Sequence, residues 1–215
     1  MDCTQINYSS TGFFSKTLTD YLSNSPALSK FYKYQPIISS FEQVITDRSK
    51  SSVNREVLVK VLKQQYKELG NGIWTDNIDS LLNNNSYTVT TGHQLCLATG
   101  PLYFIYKIVT TINLAKEIEA TNPTVKVVPV YWMATEDHDF EEINNFSVFN
   151  KKLTWEFDAK GATGRLSTES LDTLFDELKT ILGDSEHGQK LISLFESTYL
   201  KYNNLADATR AFVHE

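Results

Sequence analysis

The sequence predicts an α/β fold built on a parallel strand–helix–strand unit, and three observations carry that reading. The run SYTVT at 86–90 is short and β-prone, and a long helical pattern, LYFIYKIVTTINLAKEIEA at 102–120, follows it. A second run, VKVVPVYWMA at 125–134, is apolar at nearly every position, as a parallel strand covered on both faces requires. Parallel pairing needs a crossover of a dozen or more residues between its strands, and such crossovers are almost always right-handed.

The 215 residues, 41% of them apolar, are enough to close a packed core. With 26 acidic against 20 basic side chains the formal charge is −6, and no basic run exists that would neutralise a phosphodiester backbone, which excludes a nucleic-acid partner. No apolar stretch approaches the ~18 residues of a membrane span, and MDCTQINYSS has neither a basic nor an apolar leader region. The expected location is the cytoplasm. Cys3 and Cys96 have no motif spacing, which excludes a disulfide framework and a thiolate zinc site and fits a reducing compartment.

Along the chain, TLTDYLSNSPALSKFYKYQPIISSF at 17–41 predicts short helices broken near Pro26 and Pro36, a wrapping arm, because proline removes an amide donor and disfavours helix just before it. Residues 54–69 predict an amphipathic helix capped by Asn54 and stopped by Gly70, with Val57, Val61, Leu62, Tyr66 and Leu69 on its inner side. A helical turn from Trp74 to Leu82 leads into the first strand. Gly100-Pro101 then marks the start of the crossover helix, with proline at the first helical position. Its apolar face is read as Leu102, Ile105, Tyr106, Val109, Ile112 and Leu114. Pro129 cannot donate to a ladder, so a bulge or a sheet edge is expected there. FSVFNKKLTWEF at 146–157 reads as a hairpin turning at Asn150. Two helices, roughly 170–182 and 187–202, follow as a lid or an insertion, and NNLADATRAFVHE at 203–215 opens a further amphipathic helix without a stop signal. The expected division is a helical arm at 1–85, the strand–helix–strand core at 86–145, a hairpin and helical insertion at 146–202, and the start of a core helix at 203–215. One such unit leaves sheet edges open, so the chain is expected to be a fragment whose partner strands lie downstream.

Ligands of open α/β sheets bind beyond the carboxyl ends of the strands, where both polar segments, 91–100 and 135–142, are expected to fall. The first, Thr91-Gly92-His93-Gln94 through Gly100, is neither a Walker loop nor a dinucleotide fingerprint. It reads equally as an ordinary β-to-α turn or as an anion site made by close backbone approach and helix amides. Lys107, two turns into the helix, reaches either a phosphate or solvent. The second segment packs Glu136, Asp137, His138 and Asp139, with Glu141 and Glu142 behind them, so tightly that a cation, a substrate amine or a positive side chain is the expected counterpart. A solvated acidic turn is the plain alternative. His138 is the natural proton carrier, since its ordinary pKa lies near neutrality. HDFEE is not HExxH and has no second histidine four residues on, so a tight metal site is the weaker reading and divalent metal stays open. His187 and His214 read as surface residues.

TGHQLCLATGPLYFIYK and VPVYWMATEDHDFEEIN together resemble the cysteine-adding ligase family of bacillithiol biosynthesis, BshC. The likeness extends to TDYLSNSPALSKFY, NREVLVKVLKQQYKELG and the terminal LADATRAF, and so spans the whole chain. The resemblance implies a Rossmann-like core related to class I nucleotidyl-transferring synthetases, of which this chain holds the N-terminal part and the start of an inserted segment. It implies a ligase that joins cysteine to the amine of glucosaminyl malate in the last step of bacillithiol synthesis. It also implies a homodimer formed through a C-terminal coiled coil outside this chain, with ATP or another nucleotide activating the carboxylate. On these positions Thr91, Gly92, His93 and Gln94 match the signature that holds a nucleotide or its phosphates, and Glu136 to Asp139 match the acidic-His motif at the pocket rim. Family members often carry Gln where this chain has His93, a departure that argues against an imidazole-specific role. Two rival readings remain at this stage: a nucleotide- or sugar-acid-binding module without catalysis, and a metal-dependent hydrolase using the acidic-His cluster. The fragment alone is expected to be inactive.

Overall fold

The computed structural model describes residues 4–67, 69 and 75–215. The chain divides into two compact units, residues 1–53 and 54–215. In the first, α1 (Tyr8–Thr11) and α2 (Lys16–Leu22) precede two 3-10 turns, Pro26–Leu28 and Ile38–Ser40, and α3 (Phe41–Arg48) closes it. Ser15 caps α2 by accepting from the Leu18 amide, and Pro26 opens its turn, so the breaks fall where proline punctuates the sequence. Asp47 gathers Lys33, Lys50 and the Tyr34 hydroxyl, and these donors hold its carboxyl well below the usual carboxylate range.

The second unit begins with α4 (Arg55–Lys67), whose first turn is capped by Asn54 Oδ1 accepting from Val57 N at 3.1 Å, and α5 (Asp76–Ser80). The expected stop at Gly70 and the expected turn start at Trp74 lie outside the described residues. The inner face of α4 differs from the sequence reading. Val59 is buried with Leu62 and Tyr66 beside it, whereas Val57 and Val61 are exposed. Valines populate more than one side of this helix, so periodicity alone did not select the packed stripe.

Strand β1 (Ser86–His93), helix α6 (Leu102–Thr121) and strand β2 (Lys126–Met133) form the expected parallel crossover, in register from Ser86↔Lys126 to His93↔Met133. Lys126 N donates to Asn85 O and Ala134 N to His93 O, both at 3.1 Å, so the even-numbered amides of β2 point at β1. Pro129 is odd and turns its nitrogen to the open side. The ladder therefore runs through Val89↔Pro129 without a bulge, and the edge alternative is the one realised. On that open side the Val127 amide donates to Glu119 Oε1 at 2.7 Å. One face of the pair meets α6, with Phe104 edge-on to Tyr131; the other packs Val128 on Val59, Ile78 and Leu81.

Helix α6 also corrects the sequence reading. Pro101 is its cap rather than its first helical residue, and the buried stripe is Phe104, Thr111, Ala115 and Ile118. Leu102, Ile105, Tyr106 and Val109, read from the sequence as the inner face, are exposed. The helix is apolar on two sides, and only one meets the sheet.

Short α7 (Phe140–Ile143) leads into the hairpin of β3 (Asn145–Val148) and β4 (Lys151–Thr154), turned by Phe149 and Asn150 at φ 46° and 66°. Positive φ at both loop residues is the type I′ geometry that matches strand twist. Helices α8 (Asp172–Leu182), α9 (Glu186–Thr198) and α10 (Leu205–His214) follow. They supply Leu174, Phe175, Phe195 and Leu205 to the largest core cluster, which also takes in Leu95 and Leu97 from the β1–α6 connection and Leu153 and Trp155 from the hairpin. Trp155 Nε1 finds Ser170 Oγ at 2.7 Å, so the buried indole keeps a partner.

Candidate functional site at the strand ends

The carboxyl ends of β1 and β2 lie side by side, and the two polar segments leave from them. Thr91, Gly92 and His93 are the last residues of β1 itself, so the connection begins at Gln94 and not at Thr91. The ladder reaches this far because Ala134 N still donates to His93 O. From Gln94 the chain dives: Leu95, Cys96 and Leu97 are buried, and a tight 3-10 turn returns it to the helix. Gly100 ends that turn at φ +57°, and a Cβ there would stand 2.6 Å from the Cys96 Cβ, which restricts the position to glycine.

Gln94 joins the segments. Its Nε2 donates to Asp137 Oδ2 at 3.0 Å and to Glu142 Oε2 at 2.7 Å, so one neutral amide holds two carboxylates of the acidic rim. Asp137 also accepts the Asp139 amide at 2.8 Å, and these donors, the amide foremost, lower its pKa. The Tyr131 hydroxyl donates towards the carbonyls of His93 and Gln94 at 3.3 and 3.2 Å, and burial raises its pKa, which keeps the proton on it. Lys107 donates from Nζ to Gly92 O, so its ammonium lies at the strand end rather than in open solvent.

His93 lies against the rings of Tyr103 and Phe104, at 5.1 and 5.2 Å between centroids, with Nδ1 3.2 Å from Gln94 O. Partial burial lowers its pKa, and the charge of Lys107 adds to that. The Cys96 thiol, 3.7 Å from the same Nδ1, is pushed up to about 11 by burial and by Glu142, so it is a packed thiol and not a nucleophile. Glu136, His138 and Asp139 are exposed on the rim, and Asp139 precedes α7 without a side-chain bond to its first turn. Among the described residues no group of three His, Cys, Asp or Glu side chains is placed to hold a metal ion.

The rim continues into a cleft of about 460 Å³ bounded by Thr135 and Glu136, by Ala162, Gly164 and Arg165, and by Asn204, Ala206 and Asp207 at the start of α10. Backbone bonds build it: Thr163 N donates to Asp137 O at 2.6 Å, Gly164 N to Thr135 O at 3.0 Å and Leu205 N to Leu166 O at 3.0 Å. A Cβ on Gly164 would stand 2.7 Å from Thr135 Cβ and 2.9 Å from Thr135 O, so this approach needs glycine. Sequence reasoning named Glu136 but missed Arg165 and Asp207. The only local sign was the glycine of ATGR beside an arginine, and nothing in the pattern ties that turn to a strand end thirty residues earlier.

Among the described residues, no helix is long and apolar enough to cross a membrane. The family model of bacillithiol biosynthesis BshC, N-terminal Rossmann-like domain, matches residues 1–215. Proteins named "Putative cysteine ligase BshC" are similar to the chain. That of Flavobacterium psychrophilum is 49% identical over 97% of this chain and 40% of its own length, and that of Flavobacterium johnsoniae 48% over 97% and 40%. That of Christiangramia forsetii is 46% identical over 98% of this chain and 40% of its own length. The chain thus spans about 40% of the length of these curated relatives. A parallel crossover with both motif segments at its carboxyl edge, matched end to end by this family model, means that the chain belongs to the bacillithiol biosynthesis BshC family and carries its N-terminal Rossmann-like domain.

Proposed function

We propose that this chain forms the N-terminal part of a cysteine ligase that joins the carboxyl group of cysteine to the amine of glucosaminyl malate, completing bacillithiol. The supporting observation is the clasp of Gln94 on Asp137 and Glu142, which gathers the two segments at one strand end. An amide forms only when the carboxylate oxygen gains a better leaving group, and a nucleoside triphosphate supplies one by taking up that oxygen. Lys107 and the first amides of α6 are the groups at this edge that would meet its phosphates; Lys107 would exchange its Gly92 carbonyl for a phosphate oxygen. The attacking amine must shed a proton, and the exposed imidazole of His138, beside Asp137, is the acceptor at this rim. Asp137 and Asp139 hold the amine's charge until it does. Dimerisation through a coiled coil belongs to the same proposal and lies in sequence beyond residue 215.

The test is product formation. A protein of the relatives' full length carrying this segment should yield the amide of cysteine and glucosaminyl malate, with cysteine-dependent release of pyrophosphate or phosphate. Residues 1–215 alone should yield none. Nucleotide binding without product in the long protein would replace the ligase reading by a binding module.

A further inference from the structure

We propose that the cleft between the acidic rim, the 162–165 turn and the start of α10 binds a small α-amino acid as its zwitterion, with Arg165 on the carboxylate and Glu136 on the ammonium. The choice of cysteine as first ligand rests on the ligase reading; the chemistry of the cleft does not. Its volume, about 460 Å³, is in the range of small-molecule sites.

The polar lining sorts itself into spent and available groups. Asn204 and Asp207 are spent on each other: Asn204 Oδ1 accepts the Asp207 amide at 2.9 Å, Asn204 Nδ2 donates to Asp207 Oδ2 at 2.7 Å, and Asp207 Oδ1 lies 3.1 Å from the Arg210 guanidinium. That arrangement closes the α10 cap and neutralises its carboxylate. Glu136 and Arg165 line the same cleft, and among the described residues neither side chain has a hydrogen bond or an ion pair. A cleft offering one cation and one anion matches a ligand that carries both charges. A guanidinium takes a carboxylate through two parallel N–H donors, and a carboxylate takes an ammonium through several acceptor sites. Ala162 and Ala206 leave room for a short side chain. The backbone bonds from Thr163 to Asp137 and from Gly164 to Thr135 fix the turn bearing Arg165 against the rim bearing Glu136, so both side chains leave main chain that is held together.

The experiment is a titration of the 215-residue chain, under reductant, with L-cysteine, with cysteamine, which lacks the carboxylate, and with 3-mercaptopropionate, which lacks the amine. Saturable binding of L-cysteine is expected, weakened about 10- to 100-fold by either truncation, as loss of a charge-assisted hydrogen bond implies. Arg165→Ala should bind cysteine no better than cysteamine, and Glu136→Gln no better than 3-mercaptopropionate. Both residues are exposed, and circular dichroism checks that each variant folds. Absence of saturable cysteine binding overturns the proposal. So does a wild-type affinity that either variant leaves unchanged, or a loss in both variants that ignores which group the ligand lacks. Turnover by the long protein with no binding here would sink the cleft and spare the ligase; zwitterion binding without turnover would do the reverse.

Discussion

His93 brings an ionisable ring into an aromatic contact at the end of β1. The ring is wedged against Tyr103 and Phe104, and its pKa is lowered chiefly by partial burial. The unfolded chain takes a proton on this ring near about pH 6.5, and the folded chain only at lower pH. The stability contributed by the neutral ring is therefore complete above about pH 6.5 and is lost as pH falls through the folded-state pKa. His93→Gln should fold and should lose less of its urea midpoint between pH 7.5 and 5.5 than the parent. Equal pH slopes in the two proteins would contradict this. Gln94 reads as one unremarkable letter of TGHQ, yet its amide is what keeps two like-charged carboxylates together at the rim.

At the scale of elements, the sequence located helices and strands better than their faces. The crossover, the hairpin and the breaks at Pro26 and near Gly183 were legible because proline, glycine and β-branched runs act locally. The inner faces of α4 and α6 were not, since each helix is apolar on more than one side and the choice belongs to the sheet it meets. Val59→Ala should accordingly cost about 1–3 kcal/mol, as loss of a buried side chain does. Val61→Ala, at an exposed position of the same helix, should stay within about 0.5 kcal/mol. Urea unfolding of the pair decides between the observed stripe and the one read from spacing. The strand end of β1 was misjudged for a related reason: Thr91, Gly92 and His93 look like loop, and only the partner strand extends them.

Across the whole molecule, burial is uneven. No described residue of the first unit is fully buried, whereas the second contains both core clusters. Amides of β1, β2 and α9 should exchange with solvent about 100-fold more slowly than those of α2 and α3, measured by hydrogen–deuterium exchange; comparable rates would show a core the burial pattern does not. The candidate site was legible in its two named segments and illegible in its third wall, because a turn at 162–165 reaches residues 135–137 through backbone bonds that leave no mark in composition. The outer edge of β2 has a consequence for how such a sheet can grow. A strand added beyond β2 would meet proline where the ladder wants a donor, and would have to displace Glu119 from the Val127 amide. Each such loss is worth about 0.5–1.5 kcal/mol; a strand added beyond β1 meets no proline, but it would have to displace Arg55 from the Ser86 carbonyl and Lys107 from the Gly92 carbonyl. Both rims of the pair are thus guarded, the β2 side by a missing donor and a claimed amide and the β1 side by cationic side chains on its carbonyls, and a stray strand arriving at either must break a bond before it can make one.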